Sequence, residues 1–205
     1  MPIDVAATVD AAWDLVAAEG LDKLTVRRLA AGLGVQAPAL YWHFSGKRAL
    51  LDHMTDALVR PVVEGLPPVE DGRWQDWLAD AGLALHTALV TRRDAALVAL
   101  GADLMAARAL GDFAERTVAV LLDAGFPAAD ATRASGVLIQ LVLGRAAEDQ
   151  ARPAVADEEA LISAETFPFP LMARGLRERR ASGATVEDDC RYALGLLIAG
   201  LGTGR

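Results

Sequence analysis

The sequence predicts an all-α protein, a succession of helices separated by short turns and loops. Three observations point there. Alanine is abundant, while β-branched alternation and hairpin turn pairs are nearly absent. Apolar residues recur with the helical period. Glycines and prolines fall where such runs end and restart.

Val5, Val9, Ala12, Trp13 and Val16 form the core-facing stripe of a first helix, which Gly20 ends as a C-cap. Thr25 is an N-cap for a second helix whose inner face is Val26, Leu29, Ala30 and Leu33, and Gly34 ends it. A short third helix starts at Pro38, since proline suits the first helical position. Ser45 caps a fourth helix through Leu50, Met54 and Leu58, stopped near Pro61. Gly65 to Gly72, with Pro67 and Pro68, reads as a connector. Further helices are expected at about 74–92, 94–107, 109–124, 128–151, 169–181 and 185–202. They are separated by the Gly125-Phe126-Pro127 turn, a loop holding Pro153 and Pro168, and Gly183. Thr185 and Asp188 form a capping box variant.

Apolar residues make up 53% of the 205, and mean hydropathy is +0.27. One core cannot absorb that excess, so a subunit interface or an apolar cavity is expected. No unbroken apolar run approaches the roughly 18–20 residues of a membrane span. Asp4, Asp10 and Asp14 do not suit a signal peptide, so a cytoplasmic location is expected. Cys190 is alone and reads as a buried structural residue. Val137–Leu143 (VLIQLVL) and Leu194–Leu201 (LGLLIAGL) are apolar nearly all round. Such helices need cover on more than one side. Gly136, Gly144, Gly195 and Gly200 permit close approach. A homodimer through helices 128–151 and 185–202, built as a four-helix bundle, is the expected arrangement.

The net charge of −8, taken alone, argues against nucleic acid, but position matters more than the sum. From Lys23 to Leu51 there is no acid, while Lys23, Arg27, Arg28, Lys47 and Arg48 all lie there. That is either a phosphate-gripping face or an ordinary solvated one. Residues 25–48 read as a helix, a tight glycine turn and a very short helix: a helix-turn-helix. Tyr41, Trp42 and His43 are consecutive and cannot all face one core. Tyr41 and Trp42 either pack the small head or face a partner.

Residues 33–52, LGVQAPALYWHFSGKRALLD, resemble the signature of the tetracycline-repressor family. The resemblance continues through WQDWL at 74–78, RRDAALVALG at 92–101, AGF at 124–126 and AAEDQ at 146–150. It implies nine to ten helices in all: an N-terminal three-helix, helix-turn-helix head at 1–48, a connecting helix at 49–64, and a larger helical ligand-binding and dimerisation domain at 65–205. It further implies a dimer through the eighth and tenth helices, and a repressor of palindromic operator DNA released by a small-molecule effector. Carried over residue by residue, Thr25 caps the second helix and touches phosphate, and Arg27 meets a base or phosphate. Tyr41 and His43 hold the DNA backbone, and Lys47 meets another phosphate. Gln36 can pair with adenine, and Pro38 and Ala39 can meet a thymine methyl. Ala37 and Ala39 stand where the tetracycline repressors place polar groups, so a different operator is expected. Trp42 completes the expected DNA-binding set.

In the tetracycline repressors a histidine at the place of Ala99 helps hold a drug-bound magnesium ion. Val63 and Ala81 stand where polar residues grip the drug, and Leu85 replaces an aromatic. Glu148, matching a second-shell acid, remains. A carboxylate without its imidazole makes a poor metal site. A hydrophobic or aromatic effector other than magnesium-tetracycline is therefore expected. Thr117, Ser135, Ile139, Leu171 and Met172 complete the expected pocket, with Thr132 and Gln140 as further polar groups. These residues either line that pocket or fill a core. His43, His53 and His86 have no metal-ligand spacing, and no cofactor, metal or membrane partner is expected. No nucleophile-and-base pair supports an enzyme. The alternative is a helical small-molecule carrier or adaptor that keeps the fold without DNA binding.

Overall fold

The computed structural model describes residues 3–68, 73–151, 155–164 and 167–203. Every regular element among them is helical. In chain order these are α1 (Val5–Glu19), a 3-10 turn (Leu21–Lys23), α2 (Val26–Gly32), α3 (Ala37–Tyr41), α4 (Lys47–Gly65) and α5 (Trp74–Val90). Then follow α6 (Ala95–Ala99), α7 (Arg108–Asp123), α8 (Ala128–Ala151), α9 (Val155–Ser163), α10 (Pro170–Ala181) and α11 (Val186–Thr203).

Side-chain caps in the sequence open α1, α2 and α11. The Asp4 carboxylate accepts from the N–H groups of Ala6 and Ala7 and opens α1. Thr185 Oγ1 accepts from Asp188 N at 3.1 Å, and Asp188 Oδ2 accepts from Thr185 N at 2.8 Å. The Thr185 N–H and hydroxyl hold the Asp188 carboxyl below its ordinary range. The capping contribution of Asp188 is therefore present above the usual carboxylate pKa and fades as pH falls through its lowered value.

Four expectations are corrected. The fourth helix does not stop near Pro61; α4 runs through it to Gly65. Val59 and Val63 bury that last stretch, and the Arg116 guanidinium holds the Val63 carbonyl at 2.8 Å. The N-cap of α4 is Gly46, without a side-chain bond, rather than Ser45. The helix expected at 94–107 is only the five residues of α6. Leu100 turns extended, Gly101 takes a left-handed φ of 71°, and Asp103 Oδ1 accepts from Met105 N in a local turn. Finally, α9 occupies part of the stretch expected as loop, which makes eleven α-helices among the described residues. Pro153 and the connector residues 69–72 lie outside the described residues.

The head packs α1, α2 and α3 around Trp13, Val16, Leu24, Leu29, Leu40 and Phe44, with Leu50 of α4 completing its core. In the body α5 packs on α8 and α11, and α7 packs between α4 and α8. The short α6 lies against α4 and α8. The α5–α11 approach requires Gly82: a Cβ there would lie 2.6 Å from Leu194 Cδ2 and 3.3 Å from Leu138 Cδ1. Leu194 is fully buried, so its side chain must shift within a packed core. Gly82→Ala gains up to about 1 kcal/mol of helix propensity. Overpacking typically costs about 1–3 kcal/mol, so the variant is expected to be less stable by about 1 kcal/mol. A thermal melt would show this as a loss of about 2–4 °C for a chain of this size. No helix among the described residues is long and apolar enough to cross a membrane.

Candidate functional site

The turn between α2 and α3 is built by glycine. Val35 N donates to Ala30 O at 3.0 Å and Gly34 N to Ala31 O at 3.2 Å, with Gly34 at φ 67°. This is a Schellman end, which needs a left-handed residue at that point. Thr25 caps α2 by accepting from Arg28 N at 3.1 Å. Leu40 and Phe44 are fully buried and anchor α3 from beneath.

That anchoring sends the other face outward. Gln36, Pro38, Tyr41, Trp42 and His43 are exposed, and Ala37 and Ala39 are half-buried. Trp42 is 90% exposed and Tyr41 45%, so Trp42 contributes nothing to packing the head. With Pro38 they line a shallow hollow of about 340 Å³. Tyr41, at the end of α3, and Trp42, its C-cap, thus present two adjacent rings that a partner can cover.

The cations divide into two sets. Arg27 is exposed, and no described residue pairs with its guanidinium. Arg28 pairs with Glu19, and Lys47 Nζ donates to Leu21 O at 2.9 Å. Arg48 turns away from the head surface: it donates to Asp52 Oδ1 at 2.8 Å and to the carbonyls of Val98 and Leu100, each at 2.9 Å.

Sequence reasoning missed the carboxylates that join α4 to the body. Asp52 is 3% exposed, and besides Arg48 it accepts from Asp103 N at 3.2 Å. One turn on, Asp56 Oδ1 accepts from Ala109 N at 2.7 Å at the start of α7. The usable signal was an acid inside the apolar stripe Leu51, Met54, Thr55, since a buried carboxylate must find donors.

The expected pocket residues fall into two groups. Val63, Ala81, Leu85, Ala99, Thr117 and Ser135 are all buried in the body, and Ile139 is half-buried against its core. Thr117 donates to Phe113 O at 2.9 Å and Ser135 to Ala114 O at 3.1 Å, so both hydroxyls serve the backbone. Glu148 is exposed, as are Leu171 (74%) and Met172 (58%) on α10. The single chain does not bring these three into the buried group. Thr132 and Gln140 are also exposed. His86 is buried, with Nε2 at 2.9 Å from Asp149 Oδ2, and Arg145 pairs with the same carboxylate. Burial, aided by the Asp149 charge, pushes the nearby Cys190 thiol up to about 11, so it stays protonated at neutral pH.

Among the described residues an apolar face remains without cover. Val137 on α8 and Tyr192 and Leu196 on α11 are exposed. Beside them Phe126, Ala134, Val137, Leu197 and Leu201 line a groove of about 570 Å³ between the start of α8 and the end of α11.

Comparison with known proteins agrees with this geometry. Residues 9–54 match the family described as bacterial regulatory proteins, tetR family, and residues 66–204 match the tetracyclin repressor-like C-terminal domain. The class C tetracycline repressor protein of Escherichia coli is 37% identical over 169 residues, covering 80% of this chain and 76% of that protein. A possible TetR family transcriptional regulator from Streptomyces coelicolor A3(2) superimposes with a TM-score of 0.83 at 34% identity, covering 98% of this chain and all of the other. The TetR family protein ActR of Streptomyces coelicolor in complex with actinorhodin superimposes with a TM-score of 0.81 at 26% identity, covering 100% and 99%. The chain belongs to the tetR family of bacterial regulatory proteins, as a helix-turn-helix repressor with a tetracycline-repressor-like ligand-binding domain.

Proposed function

We propose that the chain acts as a two-fold dimer through α8 and α11 and represses at a palindromic operator until a hydrophobic or aromatic effector releases it. In this reading residues 1–48 form the DNA-binding head, 49–64 the connecting helix and 65–205 the effector and dimerisation domain. The outward α3 is the observation that carries it, with a tryptophan almost wholly in solvent beside Gln36, Pro38, Tyr41 and His43. Thr25, Arg27, Gln36, Ala37, Pro38, Ala39, Tyr41, Trp42, His43 and Lys47 make up its DNA face. Arg27 reads base or phosphate, and α3 enters the major groove. Lys47 must leave Leu21 O to reach a phosphate. The exposed apolar faces of α8 and α11 support the second copy as their cover.

The coupling route runs through α4. Ala99 and Val63 belong to the effector group, and the turn following Ala99 is held by Arg48 and Asp52 of α4. An effector that displaces α6 therefore drags the N-terminal half of α4, and with it α3. Recognition helices of a dimer must sit about one DNA turn apart, so a small rotation of α4 breaks the fit. Coupling of this kind is typically about 1–3 kcal/mol and reciprocal; operator DNA should weaken effector binding to the same degree.

Ala99 offers no donor to a metal, and Leu85 and Ala81 offer none to a polar drug. Titration with magnesium-tetracycline is expected to show no binding at micromolar concentration; micromolar affinity would remove the apolar-effector reading. The operator reading is tested by selecting duplexes from a random pool. Recovery of a palindromic consensus, with affinity that falls as salt rises, is the expected result. A chain that recovers no consensus but binds extracted apolar metabolites would be a carrier instead.

A further inference from the structure

The turn between α5 and α6 carries a polar junction that neither the DNA face nor the effector group uses. Asp94, in that turn, is the one non-glycine residue with positive φ among those described, at φ 58° and ψ 13°. Its carboxylate accepts from Leu21 N in the head at 2.8 Å, across 73 residues of sequence. The other polar group of Leu21, its carbonyl, accepts from Lys47 Nζ at 2.9 Å. Leu21 is thus pinned from the body on one side and from α4 on the other. Around it, Arg93 Nη1 donates to Ala17 O at 3.4 Å, and the Arg92 guanidinium lies 5.2 Å over the Trp13 ring. Gly20 makes room: a Cβ there would lie 2.9 Å from Arg93 Nη2, at a φ of 89° that disfavours any other residue. On the body side, Gln150 of α8 donates to the carbonyls of Leu89 and Arg92 and fixes the same turn.

We propose that Asp94 is a positioning residue that fixes the orientation of the DNA head on the body, and thereby the half-site spacing the dimer accepts. The inference rests on the operator reading above. Glycine would hold this left-handed conformation at less cost but cannot accept the Leu21 N–H; aspartate tolerates the conformation and supplies the acceptor. The head is otherwise carried by α4, because α1 and α2 pack chiefly on each other, on α3 and on α4. A helix that carries the head by one end leaves it free to pivot. A hydrogen bond from a turn anchored to α8 removes that freedom, and the dimer then presents its two α3 helices at one separation.

The test uses the full chain and the duplex it selects from a random pool. That duplex is compared with versions carrying one base pair inserted or deleted at the centre, and with a single half-site. Affinities are measured for the parent, Asp94→Ala, Asp94→Gly and Asp94→Asn. The parent is expected to discriminate sharply against altered spacing. Asp94→Ala and Asp94→Gly are expected to lose affinity for the selected spacing and to discriminate at least about fivefold less between spacings. Asp94→Asn keeps an acceptor oxygen and tolerates the left-handed conformation, so it is expected to keep the parent ratio. All four should bind the single half-site alike. A spacing ratio unchanged in Asp94→Ala and Asp94→Gly overturns the proposal. So does a defect equal on every duplex, half-site included, which is what a partly unfolded head would give. If the parent itself selects no duplex, the operator reading fails, and the latch falls with it.

Discussion

Arg27→Ala is expected to weaken operator binding by roughly 30-fold or more while leaving the head folded. Arg27 is exposed and makes no pair with any described residue, so its removal deletes no internal bond. Surface changes of that kind usually alter stability by less than about 0.5 kcal/mol. On DNA the account differs. One bidentate arginine–guanine pair discriminates by about 1–3 kcal/mol. A symmetric dimer presents two, so the loss is about 2–6 kcal/mol, or roughly 30-fold to 10⁴-fold in affinity. If Arg27 grips phosphate instead, the loss is uniform across sequences and the salt slope falls by about one unit per contact. Anisotropy titrations of the selected and scrambled duplexes at several salt concentrations separate the two. Arg28→Ala is the control, because Arg28 pairs with Glu19 and lies outside the proposed DNA face. A loss below about threefold for Arg27→Ala on the selected duplex would contradict its place in the interface.

Leu196→Glu is expected to split the dimer and take operator binding with it. Leu194 packs inward on α5, and two residues on, at about 100° per residue, Leu196 faces the opposite way. Tyr192 lies one turn back on that outward side. In one chain Leu196 is exposed, so a glutamate there meets water and the protomer stays folded. In a dimer the same carboxylate is buried in both copies, and each buried charge costs several kcal/mol. Sedimentation at micromolar concentration should therefore show monomers with an unchanged circular dichroism spectrum. Operator affinity should drop by about 10²–10⁴, the advantage of tethering two heads together. A Leu196→Glu chain that remains dimeric would show that α11 is not the contact.

The head was legible because local chemistry decides it. Thr25 caps within three residues, Gly34 supplies a left-handed turn, and Leu40 and Phe44 alternate with a face that cannot also be buried. The fate of Trp42 was not legible, since packing the head and facing outward satisfy the same three consecutive rings; the structure sends it outward. Tertiary caps escaped altogether. Asp52, Asp56 and Asp94 find their donors 51, 53 and 73 residues away, beyond any local pattern. The same cause truncated the sixth helix: the apolar period continues past Ala99, but Gly101 and the hold of Asp52 on the Asp103 N–H end it. Of the effector group, Val63, Ala81, Leu85, Ala99, Thr117 and Ser135 are buried in the body, as residues that line or fill a core must be. Glu148, Leu171 and Met172 are exposed, and no described residue of a single copy covers them.

Operator recognition requires two outward copies of α3 held at one separation, and the stoichiometry of the operator complex tests that most directly. Sedimentation of the chain with its selected duplex is predicted to give two chains per duplex, with a half-length duplex binding far more weakly. One chain per duplex, or equal affinity for the half-length duplex, would contradict it.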